Sequence, residues 1–267
     1  MNPLVRADAL ASLPNLVLLD ARPDPAAYAA GHLHGAQHAD LARHLSAVDD
    51  PRRGGRHPLP SIERWTQQLG AWGITPESNV VIYDDADASN AAARTWWMLR
   101  AAGHERAFVL DGGMRDLPLT SSSSAPAPAP PYPVTSWQLT TVDMPTVDRL
   151  RNDASWRVLD VRSRPRYRGE TEPIDPIAGH IPGAINLPFA ENMQNGRFKS
   201  PEELRAQYQS LFGDVPPERV IVHCGSGVTA CHTLLALEAA GLRGAALYVG
   251  SWSEWCRNEE MPRATEV

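Results

Sequence analysis

Four short stretches of this 267-residue chain recur in the same order and at nearly the same spacing. Leu16-Val17-Leu18-Leu19-Asp20-Ala21-Arg22 is answered by Trp156-Arg157-Val158-Leu159-Asp160-Val161-Arg162, and Gly31-His32-Leu33-His34-Gly35-Ala36 by Gly179-His180-Ile181-Pro182-Gly183-Ala184. Asn79-Val80-Val81-Ile82-Tyr83-Asp84 is answered by Arg219-Val220-Ile221-Val222-His223-Cys224, and Ala107-Phe108-Val109-Leu110-Asp111-Gly112-Gly113 by Ala246-Leu247-Tyr248-Val249-Gly250-Ser251. The offsets are 140 residues (Asp20 to Asp160), 148 (Gly31 to Gly179), 140 (Asp84 to Cys224) and 138 (Gly112 to Gly250). Ordered matches at near-constant offset mark a duplication, so the chain reads as two copies of one domain. In each copy, short runs of Val, Ile and Leu alternate with helical stretches, the pattern of a parallel sheet buried between helices. The fold class is α/β, with a first domain over residues 1–120 and a second over 136–267. Between them, Ser121 to Pro133 alternates proline after a serine run, which excludes a helix or a central strand; 121–135 reads as an extended linker.

The copies differ where chemistry is concerned. The first has Tyr83-Asp84-Asp85-Ala86-Asp87 where the second has His223-Cys224-Gly225-Ser226-Gly227. Val220-Ile221-Val222 reads as a buried strand, and Cys231 to Ala240 as a helix that stops at Gly241. A cysteine at a strand end, followed by two glycines and a helix start, lies in a ring of backbone N–H groups. Those donors and the helix dipole favour an anion, here the nucleophilic thiolate. The bland alternative is a small buried side chain beside a tight turn; the glycine pair and the strand–loop–helix context favour the reactive reading. In the first copy the glycines are missing and the carboxylates repel an anion, which leaves that copy a structural partner or a wall of the site.

A net charge of −6 and a pI near 5.8 argue against nucleic acid as a partner. No run of about 18 apolar residues exists, so no membrane span is expected. The start, Met1-Asn2-Pro3-Leu4-Val5-Arg6, has no signal-peptide pattern, and the three cysteines form neither a disulfide framework nor a zinc motif. The expectation is a cytoplasmic protein with no metal and no cofactor.

The Asp-x-Arg strand ends, the Gly179–Ala184 stretch, and Trp96-Trp97-Met98-Leu99-Arg100 with Leu110-Asp111-Gly112-Gly113 resemble the rhodanese superfamily. So do the Cys224–Thr229 loop and Gly250-Ser251-Trp252-Ser253-Glu254-Trp255. The likeness is to its tandem-domain sulfurtransferases in particular. Within the family, a Cys-Gly-Ser-Gly-Val-Thr loop looks like that of the branch using 3-mercaptopyruvate. Thiosulfate-preferring members carry basic residues in the loop, and Gly225, Ser226 and Gly227 offer none. What the resemblance implies is a two-step transfer. Cys224 takes sulfur from a small anionic donor, releasing pyruvate, and a thiol, cyanide or thioredoxin-like acceptor removes it from the persulfide. The N–H groups of Gly225, Gly227, Val228 and Thr229 suit that anionic persulfide. Thiosulfate as donor, and a non-catalytic persulfide-carrying relay, are the alternatives.

Residue roles carry over by position. Arg166 matches the family arginine that holds the donor carboxylate, a task for which a planar guanidinium is suited. Arg162 is expected to pair structurally at its strand end. The family's second arginine belongs to a segment that here reads Thr171-Glu172-Pro173-Ile174-Asp175-Pro176, shorter and without arginine. Ser226 and His57 match two members of a serine–histidine–aspartate relay that supplies a proton as enolpyruvate becomes pyruvate. Ala42 stands at the aspartate position, with Asp40 two residues earlier. His32 and His180 recur in both copies, including the one without a nucleophile, so their role is structural. Trp252 and Trp255 are pocket wall or core, and Cys231 and Cys256 are inert. A dual-specificity phosphatase needs Cys-x5-Arg; six residues after Cys224 stands Ala230, which excludes it.

Overall fold

Each repeated apolar run becomes a strand that is wholly or mostly buried. The computed structural model describes residues 2–47, 49–89, 91–115, 117–122 and 126–266. Its contacts divide the chain into Met1–Ala47 with Pro60–Leu139, and Val48–Leu59 with Thr140–Val267. In the first unit a five-stranded parallel sheet runs Leu4–Val5, Ala107–Leu110, Asn79–Tyr83, Leu16–Asp20, Gln37–His38 across its width. In the second the order is Thr141–Val142, Ala246–Tyr248, Val220–His223, Arg157–Asp160, Ile185–Asn186, again all parallel. Strand for strand the two orders match, so the duplication inferred from spacing is a duplication of topology. Asn79–Tyr83 and Val220–His223 are central and wholly buried, as parallel strands covered on both sides must be.

The expected helices form. Ala92–Ala101 carries Trp96, Trp97 and Met98 into the first core. Pro201–Phe212 starts at a capping box between Ser200 and Glu203. Trp252 and Trp255 are fully buried core. No helix among the described residues is long and apolar enough to cross a membrane.

The duplicated Asp-x-Arg motif is a clamp. Arg22 Nη2 donates to Asp20 Oδ2 at 2.6 Å and to Gly31 O at 2.6 Å. Arg162 Nη2 does the same to Asp160 Oδ2 at 2.5 Å and Gly179 O at 2.7 Å. The strand end is thereby tied to the Gly-His stretch in both units. There His32 stacks on Tyr28 at 4.2 Å and His180 on Tyr167 at 3.8 Å, each ring nitrogen Nδ1 bonded to the tyrosine carbonyl. Both histidines are structural, and Arg162 is a strand-end partner as the motif predicts.

Of the proline-rich segment, Ser123, Ser124 and Ala125 lie outside the described residues. The part from 126 to 133 has neither helix nor strand, but it is not a free spacer. Ala129 N–H donates to Gly70 O at 2.8 Å and Tyr132 N–H to Thr66 O at 3.0 Å. A Cβ on Gly70 would sit 2.7 Å from Ala129 O and Pro130 O, so a glycine there permits the close approach. Prolines have no N–H to leave unsatisfied, and the segment lies as a strap over helix Ile62–Ala71 of the first unit.

Asp20 is completely buried, so removing its guanidinium partner strands a charge. Arg22→Met is expected to cost about 3–5 kcal/mol, and Asp20→Asn added to it to recover part of the loss. Urea-unfolding curves of both variants measure this.

Candidate active site

Strand Val220–His223 delivers Cys224 at its carboxyl end, and the loop turns into helix Ala230–Ala239. Gly227 sits at φ +73°, and any Cβ there would meet Val249 O at 2.5 Å; only glycine fits. The loop's carbonyls face helix Ser251–Trp255. Cys224 O accepts from Trp252 N–H at 3.0 Å, and Gly225 O from Ser253 N–H at 2.8 Å. Cys224 N–H donates to Ser251 Oγ at 3.2 Å. With the carbonyls anchored there, the donors are left over. Among the described residues no acceptor takes the N–H of Gly225, Ser226, Val228 or Thr229. These N–H groups belong to the loop that follows the buried Cys224.

The first unit shows what such a cradle holds. Asp84, at the position of Cys224, turns its carboxylate into its own loop. Oδ1 accepts from Ala86 N–H and Ala88 N–H, both at 2.9 Å, and Oδ2 from Ala92 N–H at 3.2 Å. Ala86 and Ala88 stand 140 residues before Ser226 and Val228. The expectation of mere repulsion between the Asp84–Asp87 carboxylates and an anion missed this contact: the first loop keeps its anion as a side chain. Spacing alone could not show which way the carboxylate turns.

Below Cys224 lies a buried charge network. Burial works against a charge on Arg162, yet Asp160, then Glu172 and the Cys224 sulfur, outweigh it and raise its pKa. The guanidinium also lies 4.9 Å over the Trp252 ring. His223, fully buried, has its pKa lowered by burial against the pull of Asp160; it is a neutral ring under the loop, its Nδ1 3.3 Å from Cys224 O.

Arg166, on the short helix Arg164–Arg168, reaches the loop as predicted. Its Nη2 would lie 3.3 Å from a Cβ on Gly225. Glu172 holds it, through Nη2 to Oε1 at 2.7 Å and Nε to Oε2 at 3.2 Å. His57 also arrives: its Nδ1 lies 2.9 Å from Ser226 Oγ. The segment carrying it is fixed by Gly54 N–H donating to Glu254 Oε1 at 2.8 Å, and by Gly55, where any Cβ would run into Gly250 O. Asp40 caps its own turn by accepting Arg43 N–H at 2.7 Å. Cys231 and Cys256 are buried, each sulfur facing a backbone carbonyl (Gly227 O and Ser253 O), and burial pushes the Cys256 thiol up.

One residue escaped sequence reasoning. Arg56 places Nη2 3.4 Å from the Gly225 Cβ position and pairs through Nη1 with Asp175. Its only signal was adjacency to His57.

The rhodanese-like domain profile matches residues 6–117 and 144–258. The chain is 41% identical to a probable 3-mercaptopyruvate sulfurtransferase of Pseudomonas aeruginosa, over 95% of this chain and 94% of that one. It is 38% identical to the thiosulfate sulfurtransferase of Mus musculus, over 74% of this chain and 70% of the relative. Among solved structures, the 3-mercaptopyruvate sulfurtransferase from Leishmania major superposes with a TM-score of 0.81 at 29% identity, covering 95% of this chain and 74% of the other.

Burial, opposed by the three N–H bonds, pushes the Asp84 carboxyl up to about 6. Between about pH 4 and that value, the folded chain keeps a proton that the unfolded chain has released. This group's contribution to stability therefore falls as the pH rises through that window. Asp84→Asn has no such proton. Calorimetry from pH 4 to 7 is expected to show the variant gaining several degrees on the wild type as the pH rises.

Proposed function

The chain belongs to the rhodanese-like family, and on that premise we propose that it is a sulfurtransferase using 3-mercaptopyruvate as donor and Cys224 as carrier. The observation that supports the reading is the loop after Cys224, where no acceptor among the described residues takes the N–H of Gly225, Ser226, Val228 or Thr229, against the first loop, where Asp84 accepts from Ala86 and Ala88. A cysteine persulfide is anionic near neutral pH, and backbone donors stabilise it without a counter-charge in the loop.

In the first step the Cys224 thiolate attacks the donor sulfur. An S–S bond forms, the donor's S–C3 bond breaks, and its electron pair passes to C3 as the enolate of pyruvate. One proton on C3 completes pyruvate. The Ser226 hydroxyl, 2.9 Å from His57 Nδ1, is the group through which a protonated His57 delivers it. In the second step an acceptor thiolate attacks the outer sulfur, leaving with it and restoring Cys224. Arg166 orients the donor by its carboxylate, with the sulfur toward Cys224. A thiol, cyanide or a thioredoxin-like protein serves as acceptor, and the cytoplasm, with its pool of thiols, is the compartment that fits.

Thiosulfate is the second reading. The 38% identity to a thiosulfate sulfurtransferase supports it, as do the guanidiniums at Gly225. The ratio of kcat/KM on the two donors separates the readings, and a clear preference for thiosulfate would replace the first.

Incubation with 3-mercaptopyruvate is expected to release pyruvate and leave about 32 daltons, one sulfur, on Cys224 by peptide mass spectrometry. Cys224→Ser is expected to abolish both while keeping the melting temperature. Label on another residue, or none, sinks the carrier role. His57→Ala is expected to lower kcat by roughly 10²-fold or more, and unchanged turnover removes His57 from the proton path.

A further inference from the structure

The loop after Cys224 and the segment that carries His57 are tied to one short helix, Ser251–Trp255. To the loop the helix gives its backbone, with Trp252 N–H on Cys224 O at 3.0 Å and Ser253 N–H on Gly225 O at 2.8 Å. To the segment it gives a side chain, with Glu254 Oε1 accepting Gly54 N–H at 2.8 Å. We propose that Glu254 is a positioning residue for the proton path, holding His57 against Ser226 through the backbone of residues 54–57. The proposal rests on the reading of His57 as the group that delivers the C3 proton, and it names the residue that sets where that group stands.

Residues 54–57 form neither helix nor strand, so no ladder of backbone hydrogen bonds fixes them. The place of His57 depends on separate anchors. Asn258 Nδ2 donates to Arg52 O at 3.3 Å and to Glu254 O at 2.8 Å, which links the chain just before the segment to the end of the same helix. Glu254 then takes the Gly54 N–H, and at Gly55 the backbone runs so close that any Cβ would collide with Gly250 O. Arg56 pairs with Asp175, and His57 Nδ1 lies 2.9 Å from Ser226 Oγ. The Arg56 anchor acts at the tip of a long side chain, which leaves the backbone behind it free to shift. Glu254 grips the backbone itself, three residues before the ring.

The grip is also of the stronger kind. A carboxylate accepting a backbone N–H makes a charge-assisted bond, roughly twice as strong as a neutral one. Glycine at 250 makes room for it, since a Cβ there would run into Glu254 Oε2. Because loop and segment hang on the same turn of helix, a shift of that helix carries both, and the Ser226–His57 separation is kept. That separation is what proton transfer needs: donor and acceptor must stand about 2.6–3.2 Å apart, and a misplacement of about 1 Å can cost roughly 10²-fold. The donor's carboxylate is oriented elsewhere, by Arg166, so binding should survive the loss of this anchor.

The test is steady-state kinetics of the full chain on 3-mercaptopyruvate, read by pyruvate release. Glu254→Ala is expected to lower kcat by roughly 10- to 100-fold with KM within about 3-fold. Glu254→Gln keeps a neutral acceptor for Gly54 N–H and should lose less, roughly 3-fold. A carboxylate that only stabilised the fold would lower kcat just as much in a chain with no histidine to place. Glu254→Ala is therefore repeated in His57→Ala, where it is expected to change kcat by less than about 2-fold, since an absent ring cannot be misplaced. If Glu254→Ala melts well below the wild type, Glu254→Gln decides through the same comparison with and without His57. A single variant with kcat within about 2-fold of the wild type overturns the assignment, as does an equal loss in both backgrounds or a loss confined to KM. Pyruvate release by the wild type and its fall in His57→Ala are measured first, so that failure of the donor reading or of the proton path is told apart from failure of this one.

Discussion

A strand that ends at a loop and restarts as a helix leaves backbone N–H groups with no carbonyl to meet. Both halves of this chain place that junction at the centre of a parallel sheet, where water cannot easily satisfy the donors. Such donors favour an acceptor, and the halves answer differently. The first supplies a carboxylate from its own backbone at Asp84, held by Ala86, Ala88 and Ala92. The second supplies a sulfur at Cys224, and no acceptor among the described residues takes the N–H groups of Gly225, Ser226, Val228 and Thr229. A carboxylate as a permanent resident removes the need for glycine: Asp87 and Ala88 adopt positive φ in the first loop where Gly227 does in the second. The strain of those residues is tolerated because three hydrogen bonds over-determine the turn.

What is common to the halves is the frame that fixes the junction. The Asp-x-Arg clamp ties the neighbouring strand to the Gly-His stretch, and the stacked tyrosine–histidine pair closes the turn before it. Both persist in the first unit, where Asp84 replaces the cysteine, so their role is the fold. In the second unit the same clamp gains a chemical consequence. Arg162 feels the Cys224 sulfur as well as Asp160 and Glu172, so a structural ion pair also acts electrostatically on Cys224.

Much of this was legible in the sequence because it depends on local rules. The parallel sheet of each half follows from the repeated β-rich runs, Cys224 from its strand–loop–helix setting, and the structural role of Arg162, His32 and His180 from their presence in both copies. The meeting of His57 with Ser226 was legible only through resemblance. Residues 49–59 have no apolar periodicity to announce where they pack, and they pack with the second unit. Arg56 was invisible for the same reason: its partner Asp175 lies 119 residues away, and a long-range ion pair leaves no periodic trace. The proline-rich strap was half legible. Its composition ruled out helix and strand, but a backbone poor in N–H donors can also lie flat on a helix, and composition cannot tell that from a free spacer.

The acidic net charge and the arginines gathered beside the Cys224 loop are two sides of one arrangement. Guanidiniums left to themselves around Cys224 would repel one another and wander, each losing about 2 kcal/mol of rotamer freedom only when a ligand fixed it. Glu172 and Asp175 fix them beforehand, so that ordering is complete when a ligand arrives. Asp175 is shared among Arg56, Arg166 and Arg257: one carboxylate orders three cations and cancels only one. The loop carries no basic residue of its own, and the positive charge beside Gly225 comes from Arg56 and Arg166, outside it.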